Sequence, residues 1–171
     1  MREQLRLLTR SALALGLILL SISVFRGPLN LLNGISVPLV LSLLTAGLSP
    51  GRRMALTLAV ILPALLWQPV QLFFLLVYLI MGWRLSGLPE ETGRTGTLVR
   101  LVPLTAAGFF VALWATDRVF MTRSLEVLWR IAGENSFRLA LVIGLEALVA
   151  SAVLMFLYRG VRARLRKGGF R

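Results

Sequence analysis

One carboxylate stands alone inside a long apolar stretch of this sequence. Glu146 interrupts the otherwise uncharged run 139–158, and it lies about 10 Å from the start of that run if the run is helical. A carboxylate in hydrocarbon is costly, so it usually faces a cavity, an ionic partner or a proton path. Glu146 is therefore a candidate for contact with a substrate or subunit. The competing interpretation is a structural role as a protonated or arginine-paired residue.

A second group of polar residues falls where the outer ends of membrane helices are expected. Asn and Gln offer directed hydrogen bonds and Trp offers a flat stacking surface, as a small-molecule pocket requires. The alternative is that these residues only mark the membrane interface, where Trp and polar side chains are common. The group consists of Arg26, Asn30, Asn33, Trp67, Gln68, Gln71, Asp117 and Arg118. The predicted ligand-binding residues are Asn30, Asn33, Trp67, Gln68, Gln71 and Glu146.

The residue types that are missing exclude several chemistries. The chain has no cysteine and no histidine, which excludes thiolate nucleophiles, disulfides, serine–histidine hydrolysis and sulfur or histidine metal sites. The glycine pair in Gly93-Arg94-Thr95-Gly96 lacks the pattern of a phosphate-binding loop, so nucleotide energy would have to come from another chain. We expect no catalytic residue, no metal and no cofactor.

Composition places the chain in a lipid bilayer. Of its 171 residues, 57% are hydrophobic and only 15% are charged, whereas soluble domains carry about 25% charged residues. Intrinsic disorder is excluded as well, because it requires low hydrophobicity. A net charge of +12 can indicate nucleic-acid binding. Here the basic residues stand between long uncharged stretches, as in the cytoplasmic loops of membrane proteins, so no nucleic-acid partner is expected.

The charged residues divide the chain into apolar blocks that predict an all-α bundle. The uncharged run 54–83 would measure about 45 Å as one helix, longer than the ~30 Å hydrocarbon core. Trp67-Gln68-Pro69 lies at its middle and offers an interface aromatic and a helix-starting proline, so we predict a hairpin of two short helices there. The six expected spans are about 9–26, 29–48, 50–66, 69–85, 100–116 and 138–158.

The distribution of basic residues predicts the orientation of these spans. Six spans with a cytoplasmic N-terminus place 14 basic residues inside and 5 outside, whereas five spans give 9 and 10. The positive-inside rule therefore favours six spans with both termini cytoplasmic, in a multi-pass protein of a cytoplasmic membrane. The basic tail 159–171 would then lie against the anionic inner leaflet.

The remaining segments complete a single transmembrane domain, 1–171. Residues 86–100 are glycine-rich and predict a flexible cytoplasmic loop. Apolar residues between Asp117 and Arg138 recur with helical spacing, which predicts an amphipathic helix at the outer interface. Arg26-Gly27-Pro28 is not a small-residue cleavage site, so we expect the first helix to be a retained anchor.

Small residues four apart occur in several blocks and let helix backbones approach closely. Most are expected to serve packing within the bundle, whereas Ala12 and Gly16 could contact another membrane subunit. A further stripe in the last helix, with Glu146 on roughly the opposite side, predicts a close helix contact. The pairs are Ala12/Gly16, Ser42/Ala46, Ala55/Ala59, Gly108/Ala112 and Ala140/Gly144, and the stripe is Ala140, Gly144, Ala147 and Ser151.

The first half of the chain resembles the substrate-binding S components of energy-coupling-factor transporters. Leu8–Gly16 is similar to their small-residue first helix, and Ile35–Val40 and Ala46–Arg53 are similar to their second helix and the short turn after it. The resemblance implies a six-helix protein that captures a vitamin-like nutrient at its outer side. It also implies docking through Ala12 and Gly16 onto a membrane coupling subunit that two ATPases drive. The ligand residues of particular vitamin families do not match.

A second resemblance is to the rod-shape-determining membrane protein D family. Members have about this length, five or six short spans and a basic tail. The resemblance implies a membrane scaffold of the bacterial cell-shape machinery, with a periplasmic cell-wall partner. The family's glycine-rich stretch ending in aspartate is absent, and Met54–Ala59 stands in its place. A membrane enzyme would need clustered polar residues, so the leading expectation is an S-component-like protein and the alternative is the scaffold.

Overall fold

The computed structural model describes residues 2–25, 32–45, 48–87 and 93–167. Within these ranges the chain is all-α, without strands. Its helices are α1 (Arg2–Val24), α2 (Asn33–Leu44), α3 (Pro50–Trp67), α4 (Leu72–Ser86), α5 (Arg94–Phe120), α6 (Ser124–Ile131) and α7 (Ser136–Lys167), with a short 3₁₀ turn at Pro69–Gln71 between α3 and α4. The predicted all-α fold is confirmed.

Four of the helices form a ring. α2 packs on α4, α4 on α5, α5 on α7, and α7 on α2. α2 is apolar all around, and its buried residues include Val37, Pro38 and Leu41. A helix that is hydrophobic on every side belongs in the interior, and α2 accordingly contacts three other helices.

α1 and α3 form an outer pair on one side of this ring. α1 packs on α2, α3 packs on α4, and the two outer helices contact each other. The inner face of α1 is fully buried at Ala14 and Ile18, whereas Leu8, Leu13 and Leu20 on its other faces are more than half exposed. The outer pair therefore leaves a broad apolar surface without a partner in the described part of the chain.

The uncharged run in the middle of the sequence is a hairpin. α3 ends at Trp67 and α4 begins at Leu72, so the break lies at Trp67-Gln68-Pro69. The side chain of Arg53 near the start of α3 lies over the ring of Trp83 near the end of α4, 5.5 Å from its centroid. The two helices are therefore antiparallel. α1, α3 and α5 begin at one end of the bundle, where α4 and α7 end, and we call this the arginine-rich end.

In the part of the chain that the structure describes, four helices are long and apolar enough to cross a membrane. The segments are Leu7–Val24, Pro69–Ser86, Arg94–Phe120 and Ser136–Arg164. Length and composition thus indicate a membrane protein. The expected spans 29–48 and 50–66 correspond to α2, which is a shorter apolar helix, and to α3, which carries Arg52 and Arg53 in its first turn. Six spans and the orientation of the termini stay predictions.

Several helix boundaries differ from those inferred from charge. α5 begins at Arg94, within the expected loop 86–100, and continues past residue 116 to Phe120. α7 runs through most of the expected tail, to Lys167. Charged residues set where a helix leaves hydrocarbon, but they do not break helices. α5 ends only where Met121 adopts the left-handed conformation, with φ 55°.

The expected amphipathic helix between Asp117 and Arg138 is shorter than predicted. Its ends belong to α5 and α7, and only Ser124–Ile131 forms a separate helix. Arg123 and Glu134 on either side have positive φ values near 56°, a conformation that interrupts regular helix. α6 is amphipathic and has no buried residue.

Candidate functional site

The predicted outer residue Asn33 belongs to a buried hydrogen-bond network that joins α1 to α2. It is 1% exposed. Its Oδ1 accepts a bond of 2.7 Å from the Ser21 hydroxyl, and its Nδ2 donates a bond of 2.9 Å to the carbonyl of Phe25. The Ser36 hydroxyl lies 2.6 Å from that of Ser21. An apolar interior makes such paired groups strong and specific, so Asn33 holds the end of α1 against the start of α2.

Gln68 makes a second connection at the same end. Its Nε2 donates a bond of 2.8 Å to the carbonyl of Ile22, near the end of α1. Its Oε1 is buried and has no hydrogen-bond partner among the described residues. Gln68 therefore fixes the α3–α4 turn against α1, and its carbonyl oxygen is left as an acceptor.

Asn33 and Gln71 line one small cavity together with the buried phenol ring of Tyr78. The space open to water in this cavity is about 10 Å³, which is close to the minimum for one water molecule. Ligand pockets are commonly 300–1,000 Å³. The arrangement can hydrogen-bond a water molecule, and it is much smaller than a vitamin-sized molecule.

Tyr78 is a residue that the sequence analysis missed. Its ring packs edge-to-face on Phe109 of α5, with centroids 6.2 Å apart. It thus connects the cavity lining on α4 to α5. The sequence does carry a signal for this residue. Tyr78 is one of only two tyrosines in the chain, and it lies in an uncharged run where its hydroxyl needs a partner.

Glu146 lies on an exposed face of α7. The small-residue stripe on the other side of the helix is only half confirmed. Ala147 and Ser151 are fully buried, and the Ser151 hydroxyl lies 3.2 Å from that of Thr105 on α5. Ala140 is exposed, so only the second half of the stripe is buried.

The other predicted outer residues that the structure describes do not line this cavity. Trp67 is 65% exposed. Asn30 and Arg26 lie outside the described residues. Arg118 lies over the ring of Trp114, 6.0 Å from its centroid. The structure therefore groups Asn33, Gln68 and Gln71 at one end of the bundle. Glu146 does not line the cavity beside them.

Asp117 has a structural role. Its carboxylate accepts backbone N–H bonds of 2.8 Å from Ser124 and 2.7 Å from Leu125, and a further bond from the Thr122 hydroxyl. The first N–H groups of a helix lack partners within the helix, and a carboxylate satisfies them and favours the positive end of the helix dipole. Asp117 at the end of α5 therefore caps α6.

The predicted docking residues on α1 face outward. Ala12 and Gly16 are both exposed, and a Cβ atom added to Gly16 would meet nothing within 4 Å. Ala12 also lines a groove of about 540 Å³ between α1 and α3, together with Leu8, Ala55 and Ala59. Small side chains leave the backbone of α1 accessible beside this groove, so a helix of another protein can approach it closely.

Gly108/Ala112 serves packing within the bundle instead. A Cβ atom on Gly108 would come within 2.7 Å of the Val77 side chain on α4, and Ala112 is 1% exposed. The pair therefore allows α4 and α5 to approach. Ala46 lies outside the described residues, although its partner Ser42 is buried.

Comparisons with known proteins add no assignment to this geometry. The chain matches no protein-family model, no curated protein and no solved structure.

Proposed function

We propose that this chain is a membrane-embedded docking subunit, which binds another membrane protein through the outer face of α1 and α3. The observation that carries the proposal is the exposure of Ala12 and Gly16 beside the α1–α3 groove. Lipid offers no hydrophobic drive for helix association, so close backbone contact between small residues is a principal source of affinity. The inner faces of both helices already pack on the ring, so these residues are left for a partner.

A membrane scaffold of the cell-shape machinery fits this proposal with the fewest further assumptions. The resemblance of this chain to the rod-shape-determining membrane protein D family implies a function that needs partner contacts and no ligand pocket. At the opposite end from the arginine-rich end, Asn33 and Gln68 use their amides to join helices, and the cavity beside them has room for about one water molecule. These features favour a structural role for that end of the bundle.

An S-component-like transport subunit is the second candidate. It is favoured by the outward position of Ala12 and Gly16, the residues through which the resemblance implies docking onto a coupling subunit and its ATPases. In this case the site for a small nutrient would include Asn33, Gln68, Gln71 and Glu146, and α1 would have to move from the α3–α4 turn to admit it. The buried Oε1 of Gln68 favours a bound molecule that donates a hydrogen bond to it. A nutrient and a water molecule both meet this requirement.

The docking proposal is tested by enlarging the small residues. Ala12→Leu and Gly16→Leu should leave the isolated protein folded, because both positions face outward, and should sharply reduce co-purification with its membrane partner. Leu13→Phe is the matched control, since Leu13 is 52% exposed on another side of the same helix. Loss of folding in Ala12→Leu, or unchanged co-purification in both variants, would refute docking at this face.

The same variants separate the two candidates in cells. A scaffold variant that cannot dock should give rounded cells with unchanged nutrient uptake, whereas a transport variant should lose uptake of one micronutrient and keep a normal shape. The partner recovered with the wild-type chain provides a second readout. A cell-wall elongation protein supports the scaffold, and a coupling subunit with ATPases supports transport.

A further inference from the structure

A second cleft lies at the arginine-rich end, between α3, α4 and α5. Its volume is about 660 Å³, within the usual range for ligand pockets. Three of its lining residues are arginines, each from a different helix: Arg53 from α3, Arg84 from α4 and Arg100 from α5. Sequence patterns did not single out this cluster, because its members are separated by 31 and 16 positions in the chain.

The three guanidinium groups lack a neutralising carboxylate within the described part of the chain. The ion pair that the structure shows joins Arg130 to Glu126. Both residues belong to α6, at the opposite end of the bundle from the cleft. Glu90 and Glu91 lie outside the described residues. Like charges gathered in one cleft repel each other, and a bound anion removes that repulsion.

One of the arginines is held in position. The Nε of Arg53 donates a bond of 3.0 Å to the carbonyl of Leu48, and its guanidinium lies 5.5 Å from the centroid of the Trp83 ring. These contacts fix the plane of the guanidinium, whereas Arg84 and Arg100 are exposed and can turn toward a ligand. Arginine donors arranged as a fork match the oxygens of a phosphate group.

The cleft changes from charged to apolar along its length. Ile80 and Leu104 also line it, and they lie one helical turn farther from the arginine-rich end than Arg84 and Arg100. Ile80 is 47% exposed. A ligand that fills the cleft therefore needs an anionic group at the arginines and an apolar group beside α4 and α5.

An anionic phospholipid has this chemistry. Arg84 and Trp83 lie near the end of the membrane-crossing segment Pro69–Ser86, where Trp and basic residues mark the level of the lipid headgroups. Basic pockets between membrane helices bind acidic headgroups. We propose that Arg53, Arg84 and Arg100 bind the phosphate of an anionic phospholipid, with an acyl chain lying along Ile80 and Leu104.

The test measures bound lipid directly. The full chain is purified in a neutral detergent and titrated with phosphatidylglycerol or phosphatidylcholine, and lipid adducts are counted by native mass spectrometry. The wild-type protein should retain phosphatidylglycerol in preference to phosphatidylcholine. Arg53→Gln/Arg84→Gln/Arg100→Gln should weaken phosphatidylglycerol binding about tenfold or more, since each basic residue near the phosphate contributes to affinity.

The matched control removes the same charge from the same end of the bundle. Arg10, Arg94 and Arg164 are exposed and do not line the cleft, so their triple substitution by Gln should leave phosphatidylglycerol retention near that of the wild type. Equal losses in the two triple variants would overturn the proposal, because the effect would then be one of net charge. Unchanged binding in the cleft variant would also overturn it.

A second measurement keeps the arginines intact and so does not depend on the folding of the arginine variants. Trp67, Trp114 and Trp129 are replaced by Phe, which leaves Trp83 as the only tryptophan. Bromine-labelled phosphatidylglycerol should quench Trp83 fluorescence at lower mole fractions than bromine-labelled phosphatidylcholine. Equal quenching by the two lipids would contradict the proposal. So would displacement of phosphatidylglycerol by millimolar inorganic phosphate, which would identify a soluble phosphate as the occupant.

Discussion

At the scale of single residues, three polar side chains that the sequence placed in an outer pocket connect or cap helices instead. Asn33 links α1 to α2, Gln68 links the α3–α4 turn to α1, and Asp117 caps α6. All three were grouped by sequence as the lining of an outer pocket. Hydrogen-bonding capacity is the same in both roles, so residue type alone does not distinguish them.

The contact between Asn33 and Ser21 gives the first residue-scale prediction. Asn33→Ala should lower the free energy of unfolding by about 2 kcal/mol, because it removes two buried hydrogen bonds, so that the Phe25 carbonyl loses its amide donor and the Ser21 hydroxyl keeps only its contact with Ser36. Ser21→Ala should lower the free energy of unfolding by a smaller amount, since Asn33 keeps its bond to Phe25. The measurement is unfolding in detergent for both single variants and the double variant.

The double variant decides whether the two residues act together. If the bond between them is formed, the two losses should not add, and the coupling should fall within the 0.5–3 kcal/mol range typical of contacting residues. Strictly additive losses would show that Asn33 and Ser21 stabilise the bundle independently.

At the scale of helices, charge patterns predicted how many elements exist better than they predicted where each one ends. The α3–α4 hairpin follows from an apolar run that is too long for one span and from the proline after Gln68. The length of α5 does not follow from the charge pattern, because Arg94 and Arg100 interrupt the hydrophobic run without disfavouring helix. The start of α6 follows the left-handed residue Arg123, which is not a glycine and carries no sequence signal. Its end is followed by Gly133 with φ 67°, a residue type that favours this conformation after a helix.

Contacts between helices were the least predictable feature at this scale. Small-residue pairs occur on nearly every helix, but the sequence does not specify whether a pair faces inward or outward. Gly108 is packed against Val77, whereas Gly16 meets nothing. That difference arises from the ring of α2, α4, α5 and α7, in which α1 and α3 have no place. The arginine cleft depends on the same arrangement.

Gly82 provides a prediction about the contact between α2 and α4. A Cβ atom at this position would lie 2.9 Å from the Cβ of Leu41 and 3.1 Å from the Cα of Pro38. Neither atom is the end of a flexible side chain, so Gly82→Ala must push the two helices apart, and such overpacking costs about 1–3 kcal/mol. The apparent melting temperature in detergent should fall.

Gly144→Ala is the matched control on α7. Its added methyl group would meet nothing within 4 Å, and alanine favours helix over glycine by up to about 1 kcal/mol. The melting temperature should therefore stay constant or rise. A Gly82→Ala protein that melts at the wild-type temperature would show that α2 and α4 are not in close contact.

At the scale of the whole molecule, two kinds of surface define how the bundle sits in a membrane. Large apolar side chains are exposed on the outside of α1, α3, α5 and α7, including Leu20, Leu62, Phe110 and Phe156. The arginine cleft lies at the end where α4 and α7 finish. For a bundle that is apolar around its sides and basic at one end, the positive-inside rule predicts an orientation with the basic end in the cytoplasm.

The chain contains no cysteine, so this orientation can be tested with single introduced cysteines. Ser49 and Thr95 lie at the arginine-rich end, Met121 and Glu134 lie at the other end, and all four are exposed. In intact cells, a membrane-impermeant maleimide should label Met121→Cys and Glu134→Cys. It should label Ser49→Cys and Thr95→Cys only after the membrane is permeabilised, because the basic end is retained inside.

Arg164→Cys extends the test to the end of α7 and should behave like Ser49→Cys. Labelling of Arg164→Cys from outside, with Ser49→Cys still protected, would mean that an odd number of segments crosses the membrane between these two positions, and the six-span topology would have to be abandoned.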